Sequence, residues 1–188
     1  MKEYTNHSGG CPGSDMTWEN IGNEYGFKTI AYSFRNHHHE SKNPKILTHE
    51  ELQEGFEHVR IASVGLKRKI PQIYPYVKNL LSRNWYQVKN SAAIYAIGTF
   101  QSKTYKLVNG GTGWAVQMAI DNYKPIYFFD QDSNQWFTYN YGFIVQKFEP
   151  FDSIPVLTSN FAGIGTREIT LAGKNAIRQV IEYNVKEC

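Results

Sequence analysis

The sequence predicts an α/β fold, a Rossmann-like three-layer sandwich with a mostly parallel sheet and an added β-hairpin. Short segments rich in β-branched and aromatic residues alternate with segments of helical periodicity, which is the order that a parallel sheet requires. Glycine-rich motifs stand between them at three places. The chain has 188 residues, of which 41% are hydrophobic and 20% are charged. This composition is typical of a globular protein, and we expect a single domain over residues 1–188.

The first third of the chain predicts two strands and two helices. Gly26 is a natural stop for the first helix, and Thr48 followed by acidic residues resembles a helix cap. The segment between them is polar and carries three consecutive histidines, so we expect it to be an exposed loop. In chain order we expect a strand at residues 4–7, a helix at 15–25, a strand at 27–34, the loop at 35–47 and a helix from 48 to about 67.

The rest of the chain continues the alternation. Pro71 and Pro75 interrupt the helical pattern, and the apolar run at residues 91–98 is typical of a strand buried on both faces. Alternating residues at 135–148 predict a β-hairpin added at a sheet edge. In chain order we expect a helix leading to residues 83–85, a strand within 91–98, a helix to about 122, a strand at 124–129, the hairpin, a strand at 160–162 and a helix that continues almost to 188.

Three glycine-rich motifs are expected to connect a strand to the helix that follows it. They are Ser-Gly-Gly-Cys-Pro-Gly-Ser-Asp at residues 8–15, Asn-Gly-Gly-Thr-Gly at 109–113 and Ala-Gly-Ile-Gly-Thr-Arg-Glu at 162–168. The start of a helix carries unpaired N–H groups and a partial positive charge, and glycine lets a phosphate approach closely. The alternative is that the glycines only form tight connections. We predict that the motifs bind a phosphate-bearing ligand.

The predicted ligand-binding residues come from these motifs and from one helix. Thr166 and Arg167 suit a phosphate because they offer a hydroxyl and a guanidinium, although a capping threonine beside a surface arginine is the alternative. Asp15 either contacts a ligand ribose or caps its helix, and Trp114 either covers a nucleobase or packs in the core. The full set is Ser8, Gly9, Gly10, Gly13, Ser14, Asp15, Arg83, Gly110, Gly111, Thr112, Gly113, Trp114, Gly163, Gly165, Thr166 and Arg167.

Several of these motifs resemble those of one superfamily. Residues 8–15, with Lys-Thr-Ile-Ala at 28–31, resemble the S-G-G-A-x-G-x-D turn and following K-T-I-A of the Rossmann-like SLOG superfamily, which includes the DNA-processing protein A family and the "Lonely guy" phosphoribohydrolases. Residues 161–168 are similar to the strand and G-S-R turn of many members, and 109–113 resemble the start of the phosphoribohydrolase motif P-G-G-x-G-T-x-x-E. The resemblance covers most of the α/β skeleton and implies a nucleotide-binding domain.

Two departures from the family pattern change what the resemblance implies. The G-S-R-like turn lies near the C-terminal end here, whereas many members have it before the S-G-G turn, and this order is what a circular permutation produces. Gln117 stands where the phosphoribohydrolases have glutamate, and an amide cannot act as a general base. Arg83 lies near where those enzymes keep an arginine. The resemblance therefore implies ligand binding with catalysis weakened or absent.

Three functions follow from these motifs. The leading expectation is a protein that binds a nucleotide or nucleotide-derived signalling ligand as a sensor, carrier or sponge. The enzyme alternative is an N-glycoside hydrolase of the phosphoribohydrolase type, with candidate catalytic residues Arg83, Asp15, Gln117 and Glu168, and Asp130 as a further carboxylate. The third is a single-stranded nucleic-acid module, since aromatic residues interleave with a basic stretch at residues 67–89, although the net charge is only +3.

No metal site, cofactor or membrane span is expected. Adjacent histidines such as His37, His38 and His39 rarely converge on one ion, so we expect them to be solvated. Cys11 and Cys188 are the two cysteines, and an oxidised pair between them is the one disulfide that the sequence leaves open. Apolar runs fall short of the roughly 18–20 residues that span a bilayer, and the first residues lack a signal core. The expected compartment is the cytoplasm.

The sequence also predicts a symmetric homodimer through two helices. Apolar side chains recur at helical spacing over residues 73–81, and the preceding helix carries others, although core packing would explain part of this pattern. The residues of this apolar stripe are Phe56, Val59, Val64, Ile73, Tyr76, Val77, Leu80 and Leu81.

Overall fold

The computed structural model describes residues 2–42, 44–70, 75–102 and 106–186. Its strands are β1 (Thr5–Ser8), β2 (Lys28–Ser33), β3 (Pro44–Ile46), β4 (Ala93–Gly98), β5 (Ile126–Asp130), β6 (Gln135–Tyr141), β7 (Gln146–Pro150) and β8 (Asn160–Gly165). Its helices are α1 (Ser14–Glu24), α2 (His49–Leu66), α3 (Pro75–Asn90), α4 (Gly110–Asp121) and α5 (Leu171–Lys186). The eight strands form one sheet in the order β3-β2-β1-β8-β4-β5-β6-β7.

The sheet is parallel from β3 to β5, and β6 and β7 add antiparallel strands at one edge. This confirms the predicted α/β fold with an added hairpin. In the hairpin, the pairing of β6 with β7 continues to Tyr141 opposite Gln146. Tyr139 packs against the core from within β6, which keeps this part of the chain in the strand.

Two helical layers cover the sheet, and the alternation of β4 shows why. Ala93, Tyr95 and Ile97 face a core formed with α1 and α5. Ile94 and Ala96 face a second core formed with α2, α3 and α4. Because all six residues of β4 are buried, this strand lies at the centre of the molecule.

Helices α2 and α3 lie close together, and the Glu54 carboxylate of α2 accepts hydrogen bonds from α3. Thr48 and Glu51 form the capping box that starts α2, with hydrogen bonds of 3.2 and 2.8 Å. Glu54 accepts hydrogen bonds from Trp85, Tyr86 and Lys89 across the interface. The bond from Lys89 lowers the pKa of Glu54 to about 2, so the carboxylate stays ionised at neutral pH.

The structure corrects four expectations. Helix α3 runs to Asn90, well past residue 85, because its last turns pack into the core between α2 and the sheet. The loop at 35–47 contains the short strand β3, which pairs with β2. His37 is buried with only 7% of its surface exposed, because it stacks on Phe34.

The fourth correction concerns the third glycine-rich motif. Gly163 and Gly165 lie inside β8, and α5 begins only at Leu171. A Cβ at Gly163 would lie 2.5 Å from the Trp18 ring, and a Cβ at Gly165 would overlap the Ile97 carbonyl. These glycines therefore let α1 and β4 approach β8 closely, and this motif does not begin a helix.

None of the helices in the described part of the chain combines the length and apolar character that crossing a membrane requires.

The residues of the predicted apolar stripe are divided between several environments. Val59 and Leu81 are core residues, Phe56 and Val77 pack against the core, and Val64 is 76% exposed. Ile73 lies outside the described residues.

We predict that Gly163→Ala lowers the free energy of unfolding by about 2 kcal/mol, because its Cβ would meet the fully buried Trp18. Urea unfolding followed by tryptophan fluorescence measures this change. Gly111→Ala is the matched control, since its Cβ would meet no atom of the described residues within 4 Å. We expect the control to stay within about 0.5 kcal/mol of the wild type. Equal stabilities for the two variants would contradict the packing role of Gly163.

Candidate functional site

A cleft of about 610 Å³ opens at the carboxyl ends of β1, β8 and β4. We call it the strand-end cleft. Open α/β sheets characteristically place ligands at this edge. It is lined by Cys11 and Asp15, by residues 164–168 after and within β8, by Thr99 and the start of α4, and by one face of α3. A depression of about 660 Å³ also lies along the outer strand β7, but none of the predicted site residues line it.

The second glycine-rich motif opens directly into this cleft. Gly110 and Gly111 begin α4, and a Cβ at either would meet none of the described atoms within 4 Å. Asn109 precedes the helix without capping it, since its side-chain amide donates to the Thr99 hydroxyl at 3.0 Å. The first N–H groups of a helix have no intrahelical partner. The start of α4 therefore presents amide hydrogens and partial positive charge to the cleft.

The first motif binds a carboxylate of its own chain. Asp15 accepts a hydrogen bond from the backbone amide of Gly165 at 3.2 Å, and the backbone amides of Cys11 and Gly9 also favour its ionised form. Burial raises the pKa of Asp15 to about 6, although Arg83 and these amides act in the opposite direction. The amides of Gly9 and Cys11, which were predicted to face a phosphate, therefore face the Asp15 carboxyl of the same chain.

Arg83 lies at the floor of the cleft, with 3% of its surface exposed. Its Nη1 lies 3.8 Å from the Asp15 carboxylate and donates to Gln87 Oε1 at 3.2 Å. Its Nη2 donates to Cys11 Sγ at 3.3 Å. A Cβ at Gly9 would overlap the Arg83 guanidinium, so glycine at this position makes room for the arginine. Among the described atoms, Arg83 Nε and Gln87 Nε2 have no hydrogen-bond partner.

The third motif contributes side chains from the residues after β8. Thr166, Arg167 and Glu168 line the cleft. Arg167 is exposed, and within the described parts of the chain its guanidinium makes no hydrogen bond or ion pair. It is therefore available to a ligand, in contrast to Arg83, whose partners are internal.

The other predicted residues have internal roles. Ser8 accepts a hydrogen bond from the Gly10 amide at 3.0 Å, and Ser14 donates to the Thr166 carbonyl at 2.8 Å. Trp114 is 6% exposed and belongs to the core, which was one of its two alternatives. The backbone is left-handed at Gly10 and Gly13, and a side chain at Gly113 or Gly163 would overlap neighbouring atoms.

The candidate catalytic residues are separated by the fold. Gln117 does not line the cleft, and it donates to Asp121 Oδ1 at 2.9 Å on the α2 side of α4. Asp130 accepts hydrogen bonds from the amides of Phe100 and Ser133. The structure brings Arg83, Asp15 and Glu168 to the cleft.

One wall of the cleft was not predicted as part of a ligand site. Tyr76, Val77 and Leu80 of α3 form an apolar surface, and Asn84 continues it with an amide that donates to the Gly111 carbonyl at 3.4 Å. The signal was present in the apolar spacing of α3, but the sequence alone could not tell a cleft wall from a dimer surface.

Among the described residues, no three His, Cys, Asp or Glu side chains lie close enough together to hold a metal ion. Burial lowers the pKa of His37 to about 3, with Arg83 acting in the same direction, so its imidazole is neutral at pH 7. Cys11 is a free, buried thiol, and Cys188 lies outside the described residues.

We predict that the Asp15 carboxyl makes stability depend on pH. Its folded pKa of about 6 exceeds the value of about 3.9 in an unfolded chain, so the folded state binds the proton more tightly. The free energy of unfolding of the wild type should therefore fall by about 2 kcal/mol between pH 4 and pH 7 relative to Asp15→Asn. Urea unfolding across this range measures the difference.

The exposed Asp132 provides the control for that experiment, since Asp132→Asn removes the same charge at a residue that does not line the strand-end cleft. We expect this variant to follow the wild type at each pH. A difference between wild type and Asp15→Asn that stays constant with pH would contradict the raised pKa.

Comparison of the chain with protein-family models, with curated proteins and with solved structures found no match.

Proposed function

We propose that this protein binds a nucleotide or nucleotide-derived ligand in the strand-end cleft, and that it acts as a sensor, carrier or sponge of that ligand. The observation that carries the proposal is the open start of α4, where Gly110 and Gly111 leave backbone amides facing a cleft of about 610 Å³. A helix start of this kind attracts phosphate. The cleft volume is in the range of small-molecule sites.

The side chains around α4 support a phosphate at this position. Arg167 is exposed at the cleft and free of internal partners among the described residues, so it can form charge-assisted hydrogen bonds with phosphate oxygens. Thr166 adds a hydroxyl beside it. The apolar wall of Tyr76, Val77 and Leu80 is suited to the flat face of a nucleobase. Asn84 and Gln87 offer amides to its polar edge.

The position of β8 supports the SLOG relationship that the motifs suggest. This late segment of the chain lies between β1 and β4 in the sheet. A circular permutation of a SLOG domain would place the strand of the G-S-R-like turn beside the strand of the S-G-G turn. We propose this origin on the order of motifs and strands.

The test is isothermal titration calorimetry with nucleoside 5′-monophosphates, cyclic dinucleotides and ADP-ribose, after a thermal-shift screen of the same compounds. We expect at least one compound to bind, and Arg167→Gln to weaken its binding about tenfold, because a charged hydrogen bond is lost. Gly111→Ala should also weaken it about tenfold while leaving stability unchanged, because the methyl group would stand where the phosphate approaches.

Arg60→Gln is the matched control for the charge change, since Arg60 is exposed on α2 and pairs with Glu57. Its binding constant should equal that of the wild type. Absence of binding by all the compounds, or equal binding by Gly111→Ala and the wild type, would overturn the proposal.

An N-glycoside hydrolase remains the second candidate, because two carboxyl groups, Asp15 and Glu168, line the cleft. Gln117 is outside it, so its amide does not decide the question. A carboxyl with a pKa of about 6 is suited to proton transfer near neutral pH. Release of free base from a nucleoside monophosphate, lost in Asp15→Asn or Glu168→Gln, would support the enzyme over the binding protein.

The nucleic-acid alternative is not favoured by the side chains that suggested it. Arg83 is buried, Lys89 pairs with Glu54 at 2.6 Å and Lys78 lies 3.8 Å from the centre of the Phe56 ring. Arg68 donates to the Val108 and Gly110 carbonyls. These cationic side chains contact other groups of the protein, and so they do not form a basic groove that could bind a nucleic-acid backbone.

We also propose the homodimer through α2 and α3 that the apolar spacing predicts. Ile61 and Val64 on α2 are 53% and 76% exposed and would supply its apolar surface. Tyr76 and Leu80 contribute to the cleft wall in the monomer.

A further inference from the structure

Cys11 is the one cysteine among the described residues, and it lies at the floor of the strand-end cleft with 8% of its surface exposed. Its sulfur contacts two nitrogen groups from different parts of the fold. Arg83 Nη2 of α3 donates to Sγ at 3.3 Å, and His37 Nε2 lies 3.6 Å from Sγ. A permanent cation and an imidazole thus contact the same thiol.

His37 is held in this position by its other ring nitrogen. Nδ1 lies 2.9 Å from Ser33 Oγ at the end of β2, and the ring stacks on Phe34. When Nδ1 carries the hydrogen and donates to Ser33, the Nε2 lone pair faces Cys11. Enzymes with a cysteine nucleophile use the same arrangement, in which an oriented imidazole lies beside the thiol.

A second observation points to a ligand beside the sulfur. Arg83 and Gln87 line the cleft and are at least nine-tenths buried, and their Nε and Nε2 atoms have no hydrogen-bond partner among the described atoms. Buried donors of this kind are costly unless an acceptor reaches them. Acceptor atoms of a bound molecule would meet this requirement next to Cys11.

We propose that Cys11 is a nucleophilic cysteine that forms a covalent bond with an electrophilic carbon of an anionic molecule bound in the strand-end cleft. The thiol proton passes to His37 Nε2 only as the C–S bond forms, because burial and Arg83 disfavour a free imidazolium at this position. Arg83 stabilises the negative charge that develops on the sulfur. The sulfur electron pair forms a C–S bond as the bond from that carbon to its leaving group breaks. The leaving group departs with the bonding electrons, and His37 returns its proton to water. The preference for an anion rests on the proposed function, whereas the reactivity of the thiol does not.

The probes are iodoacetamide and iodoacetate, which present the same electrophilic carbon without and with a negative charge. In both, the C–I bond breaks and iodide leaves. The protein carries Cys188→Ser, so that intact mass reports Cys11 alone. The reference is the same protein unfolded in guanidinium, where neither His37 nor Arg83 is held against the sulfur.

We expect native Cys11 to react with iodoacetamide at pH 7 about tenfold faster than in the unfolded chain, because His37 accepts the thiol proton and Arg83 stabilises the sulfur while the C–S bond forms. The ratio of the iodoacetate rate to the iodoacetamide rate should rise about threefold on folding, and Arg167→Gln should reduce that rise. A native iodoacetamide rate equal to or below the unfolded rate would overturn the proposal.

His37→Gln tests the imidazole, and the exposed His38→Ala is its matched control. We expect the iodoacetamide rate to fall about tenfold in the first variant and to stay unchanged in the second, with circular dichroism confirming that both are folded. An unchanged rate in folded His37→Gln would refute the role of His37. A fast iodoacetamide reaction without preference for iodoacetate would support the nucleophile and contradict both its anionic ligand and the phosphate site proposed above.

Discussion

The buried pair of Asp15 and Arg83 is the interaction on which the ligand-facing edge of this protein depends. The two side chains are 5% and 3% exposed, and they join the start of α1 to the middle of α3 across the ends of β1 and β8. Burying two charges is expensive unless hydrogen bonds compensate each of them. The Gly165 amide donates a hydrogen bond to the carboxylate, and Gln87 and Cys11 accept hydrogen bonds from the guanidinium. The cleft is therefore built around two buried side chains whose hydrogen bonds hold its walls in position.

This pair also explains why three similar glycine-rich motifs have different roles. At Gly9 the missing side chain makes room for Arg83, and at Gly163 it makes room for Trp18. At Gly111 it leaves open space at the start of a helix. Only the last arrangement leaves amides for a ligand, because those of the first motif face the Asp15 carboxyl. Glycine content alone does not distinguish these three causes.

The fold was largely predictable because its signals are local. The capping box at Thr48, the apolar run of β4 and the stop at Gly26 each determine an element from neighbouring residues. The site was less predictable because it depends on contacts between distant segments. His37 meets Cys11 only after β2 and β1 have paired, and Gln117 turns away from the cleft because of the way α4 packs on α2. The unexpected extent of β8 has the same origin, since Gly163 and Gly165 are shaped by the approach of α1.

The central place of β8 in the sheet bears on how the chain folds during synthesis. Strands β1 and β4 lie on either side of it, and both emerge from the ribosome long before Asn160–Gly165. Until then two inner strand edges have unsatisfied backbone groups, and the two halves of the parallel sheet are not joined. Contacts of such large sequence separation are slow to form. The parallel sheet is therefore completed late in synthesis. Before that point, the exposed strand edges can aggregate with other chains or bind chaperones.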